Sequence, residues 1–151
     1  MRLTLWTDYA LRTLIFLGAK GERLSTISEV AQSFAISKTH LMKIVNQLAL
    51  QGYLETVRGK GGGMRLSRPP SQIQIGTVVR ETEQDLAVMG CLSDAAFCRI
   101  QGSCVLRGAL HDATQAFLAT LDSYTLADLL APRTRLRDSL GIAPAAAISA
   151  G

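Results

Sequence analysis

The stretch that most restricts the fold runs from Thr26 to Ser67. Thr26-Ile-Ser-Glu29 is a capping box, in which hydroxyl and carboxylate each satisfy a free backbone N–H of a helix start. It predicts a short helix with Ile27, Val30, Ala31 and Phe34 on its apolar side. Ala35-Ile36 leaves room only for a tight connection. Ser37 then caps a longer helix to about Gln51, with Leu41, Ile44, Val45 and Leu48 on one face and Gly52 as the left-handed stop. Next, Tyr53–Arg58 is β-rich and alternating, Gly59-Lys-Gly-Gly-Gly63 forms a tip, and Met64–Ser67 returns as the second strand of a hairpin. Two helices joined by a very short turn and followed by a hairpin describe a winged helix-turn-helix. The expected fold class is mainly α with a small β-wing, a winged helix-turn-helix domain followed by a long dimerisation helix.

Charge gives this motif a partner. Residues 1–70 hold ten Lys and Arg against four Asp and Glu, whereas residues 71–151 hold six against eight. All four lysines lie in the basic half. A basic module beside a mildly acidic one suits a polyanion, and the motif makes that polyanion double-stranded DNA. The first turns of the second motif helix place Ser37, Lys38, Thr39, His40 and Lys43 for the major groove, where short hydroxyls and long cations reach bases or phosphates. Arg58, Lys60 and Arg65 surround the hairpin tip and would lie along the backbone or in the minor groove. No Gly-Lys-Ser/Thr follows the glycine run and no helix opens there, so the tip is not a nucleotide-binding loop.

Before the motif, residues 7–19 read as a helix with Thr7 as N-cap, ended by Gly18 and Gly21. Asp8 falls in its first turn, where the helix dipole favours an acid, and Arg12 follows at pairing distance. After the motif, Pro69-Pro70 closes the wing, Ile73 and Ile75 mark a short extended link, and Gly76 to about Glu83 reads as a helix. The longest periodic segment runs from Ser103 to about Asp122. Leu106, Leu110, Ala113, Phe117 and Leu121 recur at spacings of four, three, four and four. At about 1.5 Å per residue that stripe is roughly 30 Å long, more than a small winged helix covers. A second copy of the chain would supply the missing surface and two heads for a palindromic site. Thr125–Leu130 makes a last short helix, and from about Gly141 the chain is Ala-, Ser- and Pro-rich, a disordered tail. The expected division is 1–70 for DNA binding, 71–131 for a cysteine loop with the dimerisation helix, and 132–151 for the tail.

All three cysteines fall in the cysteine loop. Cys91, Cys98 and Cys104 are separated by six and five residues on a stretch with no strong helical or strand period, and read as three thiols facing a common point. Three unrelated core cysteines would seldom cluster so closely. An odd number leaves one thiol over from any simple disulfide scheme. Soft thiolates on a loop suit zinc, Cu(I) or an iron–sulfur cluster, yet no Cys-x-x-Cys is present and only His40 and His111 are at hand to complete a zinc site. His111 reads as a polar-face residue of the long helix.

No apolar run is long enough to span a bilayer and no secretory signal opens the chain, so the protein reads as cytoplasmic, with reduced thiols and no membrane partner. No paired carboxylates, nucleophile–base arrangement or nucleotide loop is legible, and the chain does not read as an enzyme.

Together these features resemble the iron–sulfur winged-helix regulators, a bacterial family of dimeric transcription factors. The resemblance covers about residues 1–131. Its carriers are Met1-Arg-Leu-Thr with Thr7-Asp-Tyr-Ala-Leu-Arg12, Ile36-Ser37, the wing Val57-Arg-Gly-Lys-Gly-Gly-Gly63 and the three-cysteine loop. Asn46-Gln-Leu, Val78-Val-Arg-Glu81 and Leu121–Leu129 are most similar to the family's nitric-oxide-sensing repressors. The resemblance implies that Cys91, Cys98 and Cys104 ligate one cluster per subunit, 4Fe–4S with 2Fe–2S as the alternative. It also implies Asp8 as a fourth ligand, supplied by either subunit. The function implied is a repressor whose holo homodimer holds a palindromic operator and releases it on nitrosylation. A regulator of the same family that senses iron or cluster supply is the alternative. The first cysteine interval, six residues, is long for the family.

Overall fold

The computed structural model describes residues 2–93 and 98–144. Its elements are α1 (Leu5–Lys20), α2 (Ile27–Phe34), α3 (Lys38–Leu50), β1 (Leu54–Val57), β2 (Gly63–Leu66), α4 (Ile75–Thr82), α5 (Val105–Asp122), α6 (Leu126–Leu129) and α7 (Arg133–Leu140). Short 3-10 turns lie at Pro70–Gln72, Gly90–Leu92 and Gln101–Ser103. The fold is mainly α with one two-stranded wing, as the sequence predicts.

The motif forms as its residues dictate. The capping box at Thr26 and Glu29 is complete, and Ser37 accepts from the His40 N–H. Ala35 makes the turn between α2 and α3 with a left-handed backbone, φ 52°. Leu41, Ile44, Val45 and Leu48 are buried against α1 and α2. The wing strands are antiparallel, with Leu54 opposite Leu66 and Glu55 opposite Arg65. Ser25 adds a backbone bridge to Met64 beside β2, so the wing is stitched to the start of α2. At the tip Gly59 and Gly61 have positive φ. A Cβ on Gly62 would lie 2.2 Å from the Val57 carbonyl oxygen.

One aliphatic core spans the boundary expected at 70/71. Ile73, Ile75, Val78, Leu126 and Leu130 pack in the same cluster as Leu14, Leu17 and Leu48. Helix α1 is its axis, touching α2, α3, β2, α4, α6 and α7. Gly18 lies within α1 rather than at its end; its missing Cβ leaves space for Leu130, whose Cδ1 would otherwise be 2.5 Å away.

Three further expectations change. Helix α1 starts at Leu5 with Thr4 as its cap, because Thr4 Oγ1 accepts from the Thr7 N–H, while Thr7 is fully buried. The long helix begins at Val105, not Ser103, because Gln101–Ser103 forms a 3-10 turn. The segment after residue 131 is not all tail. Helix α7 docks on α1, with Arg137 Nε donating to the Ala19 carbonyl; Ser33 Oγ of α2 donates to the Leu140 carbonyl, and Ile142 is buried beyond it. The rest of the expected tail, 145–151, lies outside the described residues, as does 94–97 within the cysteine loop.

Candidate nucleic-acid interface and cluster site

The exposed side of α3 carries Lys38, Thr39, His40, Met42, Lys43 and Asn46, and the helix contains no acid. Its buried side is spent on the core, so the exposed side is free to enter a groove. The Ser37 hydroxyl oxygen is occupied by the cap, which leaves its proton as the group it can offer a phosphate. The His40 ring stands 6.5 Å from that of Tyr9 on α1, which places α1 beside the reading end of α3.

On the wing, Arg58 and Lys60 are exposed, and no salt bridge engages either among the described residues. Arg65 differs. Its Nε bonds Glu55 Oε1 at 2.6 Å across the strand pair, and that bond, with the charge of Glu55, raises its already high pKa. Of the three wing cations it is the least available to phosphate. The opposed positions 55 and 65 of a hairpin with its tip at 59–63 were the sequence signal for this pairing. Arg68 is likewise an internal cation. Its guanidinium donates to the Gln51 and Gly52 carbonyls at the end of α3 and stacks on Tyr53 at 4.8 Å.

Cys91, Cys98 and Cys104 are all half-buried free thiols. Cys91 sits in the 3-10 turn at Gly90–Leu92, and Cys104 is the N-cap residue of α5. The open N–H groups and positive end of an 18-residue helix therefore lie beside the third cysteine. Arg107, in the first turn of α5, donates through Nε to the Cys91 carbonyl at 3.2 Å. Cys104, Arg107 and His111 line a cavity of about 340 Å³ together with Leu92, Gln101 and Gly108. Three free, half-buried cysteines are the soft donor set that a thiolate-bound cluster uses, so the residue types present fit one. The thiols do not face a common point as the sequence reading expects. Among the described residues no three His, Cys, Asp or Glu side chains are gathered to hold a metal ion. Sites of this type are drawn together by the metal's own bonds.

Among the described residues Asp8 belongs to no such group. Its carboxylate takes the Arg12 Nε–H at 2.8 Å along α1, and Arg12 in turn lies 5.6 Å from the centre of the Phe34 ring on α2.

Helix α4 packs on both α1 and α5, and its last residues bond in both directions. Arg80 makes a bidentate bridge at 2.6 Å to Asp122 at the end of α5. Its neighbour Glu81 accepts the Tyr53 hydroxyl at the root of the wing and, through its carbonyl, the Gln51 amide at the end of α3. Just past α4, Glu83 accepts the Thr4 N–H and hydroxyl at the start of α1. None of these pairs has a sequence signature, since each joins residues 28 or more apart.

Comparison with known proteins decides what kind of protein carries this arrangement. Residues 3–132 match the Rrf2 model, described as an iron-dependent transcriptional regulator. The chain belongs to the Rrf2 family. Among its Rrf2 relatives, the HTH-type transcriptional regulator NsrR of Geobacillus kaustophilus (strain HTA426) is 51% identical over 142 residues, covering 93% of this chain and 97% of that protein. The NsrR of Bacillus subtilis (strain 168) is 49% identical over 133 residues, 86% of this chain and 90% of the other. The fold is similar to those of T. potens IscR (TM-score 0.69, 24% identity, 86% of each chain) and oxidised Staphylococcus aureus CymR (TM-score 0.69, 24% identity, 87% and 97%). This Rrf2 chain is thus a DNA-binding transcriptional regulator, not an enzyme, as the sequence reading expects. No helix among its described residues is long and apolar enough to cross a membrane.

Proposed function

We propose that this Rrf2 protein is a nitric-oxide-responsive repressor that carries an iron–sulfur cluster on Cys91, Cys98 and Cys104. The observation behind the reading is the position of the thiols, free and half-buried on one loop that runs directly into α5. The cluster would be 4Fe–4S, with Asp8 of either subunit as the fourth ligand, and would supply an iron that nitric oxide can attack.

The chain's own residues then connect loop and DNA. Helix α5 is the dimer contact: Leu118 is its one buried residue in the described chain, whereas Val105 is 85% and Leu106 57% exposed. A stripe so open needs a second apolar surface. The end of α5 is held to α4 by Arg80 and Asp122, and α4 is held to α3 and the wing by Glu81, Gln51 and Tyr53. A shift of the loop against α5 therefore changes the angle between two α3 helices that must match the half-sites of a palindrome. Lys38, Thr39, His40 and Lys43 contact the major groove, with Ser37 on phosphate, and Arg58 and Lys60 contact the flanking backbone.

The family's iron dependence favours one alternative, release in response to iron or cluster supply. Anaerobic protein and its Cys91→Ala, Cys98→Ala and Cys104→Ala variants test both readings. Iron content, visible absorbance and operator affinity are measured before and after nitric oxide or an iron chelator. The proposal expects colour in the parent protein only, and loss of DNA binding with nitric oxide. Nitric-oxide-responsive DNA binding retained in Cys98→Ala contradicts it. A coloured protein that releases DNA with the chelator and ignores nitric oxide establishes the alternative.

A further inference from the structure

Arg107 does something in this structure that neither the cysteine pattern nor the basic DNA-facing surface assigns. It lies three residues after Cys104, in the first turn of α5, and reaches back sixteen residues to the carbonyl of Cys91. Among the described residues, it makes the one side-chain hydrogen bond that joins the two ends of the cysteine loop; the other side-chain bonds at the loop, those of Ser93 and Ser103, are local. Because the same side chain lines the cavity onto which Cys104 opens, the first thiol's backbone is fastened beside the third thiol.

We infer that Arg107 is a positioning residue for the cysteine loop, holding Cys91 within reach of Cys104 and setting the lifetime of whatever the thiols bind. The inference rests on the cluster reading above for what is bound, and on the hydrogen bond alone for the position of Cys91. Two physical effects act together. Tying the ends of a loop raises the effective concentration of one thiol near the other. The guanidinium charge would also offset part of the negative charge of cysteines that ligate as thiolates. Residues that orient ligands in this way are commonly worth about 10–100-fold in metal affinity.

The test uses full-length protein in two states. In the metal-free state, a short bismaleimide joins Cys91 to Cys104 only when both thiols lie within its span, and a Cys98→Ser background removes the competing thiol. Arg107→Ala should lower the yield of that crosslink several-fold. In the anaerobic iron-loaded state, the same substitution should speed chelator-driven bleaching by about tenfold. Arg107→Lys, which keeps the charge and a donor, should restore most of both. If Arg107→Ala lacks a cooperative melting transition, Arg107→Gln takes its place on both readouts. Crosslinking and bleaching unchanged from the parent overturn the inference. A parent protein that takes up no iron counts against the cluster reading, and the crosslink comparison then judges Arg107 by itself.

Discussion

Thr7 and Thr82, seventy-five residues apart, share a buried hydrogen bond, Thr7 Oγ1 donating to Thr82 Oγ1 at 2.9 Å. Thr82 passes its own proton to the Val78 carbonyl, so a chain of hydroxyls crosses from α1 to α4 in the apolar interior. A buried hydroxyl left short of a partner costs about 1–3 kcal/mol. Thr7→Val keeps the shape and removes the donor. It should lower stability by about 1 kcal/mol, read as a fall in the denaturation midpoint at unchanged m-value. The double change with Thr82→Val should cost less than the sum of the two single changes.

The wing should be sensitive at Gly62. A Cβ there meets the backbone oxygens of Val57 and Gly59 at 2.2 and 2.9 Å, which cannot swing away as a side chain would. Overpacking of this kind costs about 1–3 kcal/mol. Gly62→Ala should open the tip, weaken operator binding and leave the α-helical circular dichroism unchanged. Full affinity in this variant would remove the wing from the DNA contact.

The cations of the wing should not be equivalent. Arg58→Ala and Lys60→Ala should each reduce the slope of log affinity against log salt by about one. Arg65→Ala should reduce it less, because the Arg65 guanidinium already holds Glu55. Equal slopes for all three variants would show that the Glu55 pair opens on DNA.

Two groups give the fold a signed pH dependence. Burial works against charge on Glu29, but its bonds to Lys20 and Thr26 prevail and hold its carboxyl below the ordinary value of 4.5. Its contribution is therefore complete above pH 4.5 and lost as pH falls through the folded value. Burial, with the bond to Glu81, pushes the Tyr53 phenol well above its ordinary 10.0. That contribution is complete below pH 10 and declines as pH rises further. Glu29→Gln should flatten the acid limb of the stability curve and Tyr53→Phe the alkaline limb. Tyr53→Phe should also cost about 1–2 kcal/mol near neutrality through loss of the bond to Glu81.

The helix-turn-helix and wing were legible because their signals are local. Thr26 and Glu29 are three residues apart, Ser37 opens α3 directly, and a glycine run between alternating segments has few other uses. Thr7 misled for the same reason. It looks like a cap, whereas Thr4 is the cap and Thr7 answers to Thr82, a residue no local pattern could supply. Helix α7 was missed because Pro132 offers no side-chain cap and Arg133-Thr-Arg-Leu-Arg-Asp-Ser-Leu140 is polar on most sides. Its usable signals were Leu136 and Leu140 four apart and Gly141 as a left-handed stop, φ 65°. The spacing of the three cysteines did not predict their geometry, since among the described residues they form no group of three. Arg107 was invisible for a related reason: its partner is a backbone carbonyl, which leaves no mark on composition.

The central claim, that the cysteine loop governs DNA binding through a nitric-oxide-sensitive cluster, is tested most directly by one titration. Anaerobically purified protein is mixed with fluorescently labelled operator DNA, selected by its binding to the coloured protein. Nitric oxide is then added in steps while absorbance and anisotropy are recorded on the same sample. The account predicts that the visible band bleaches and the anisotropy falls together, with one dependence on nitric oxide per cluster. Bleaching with anisotropy unchanged would contradict it.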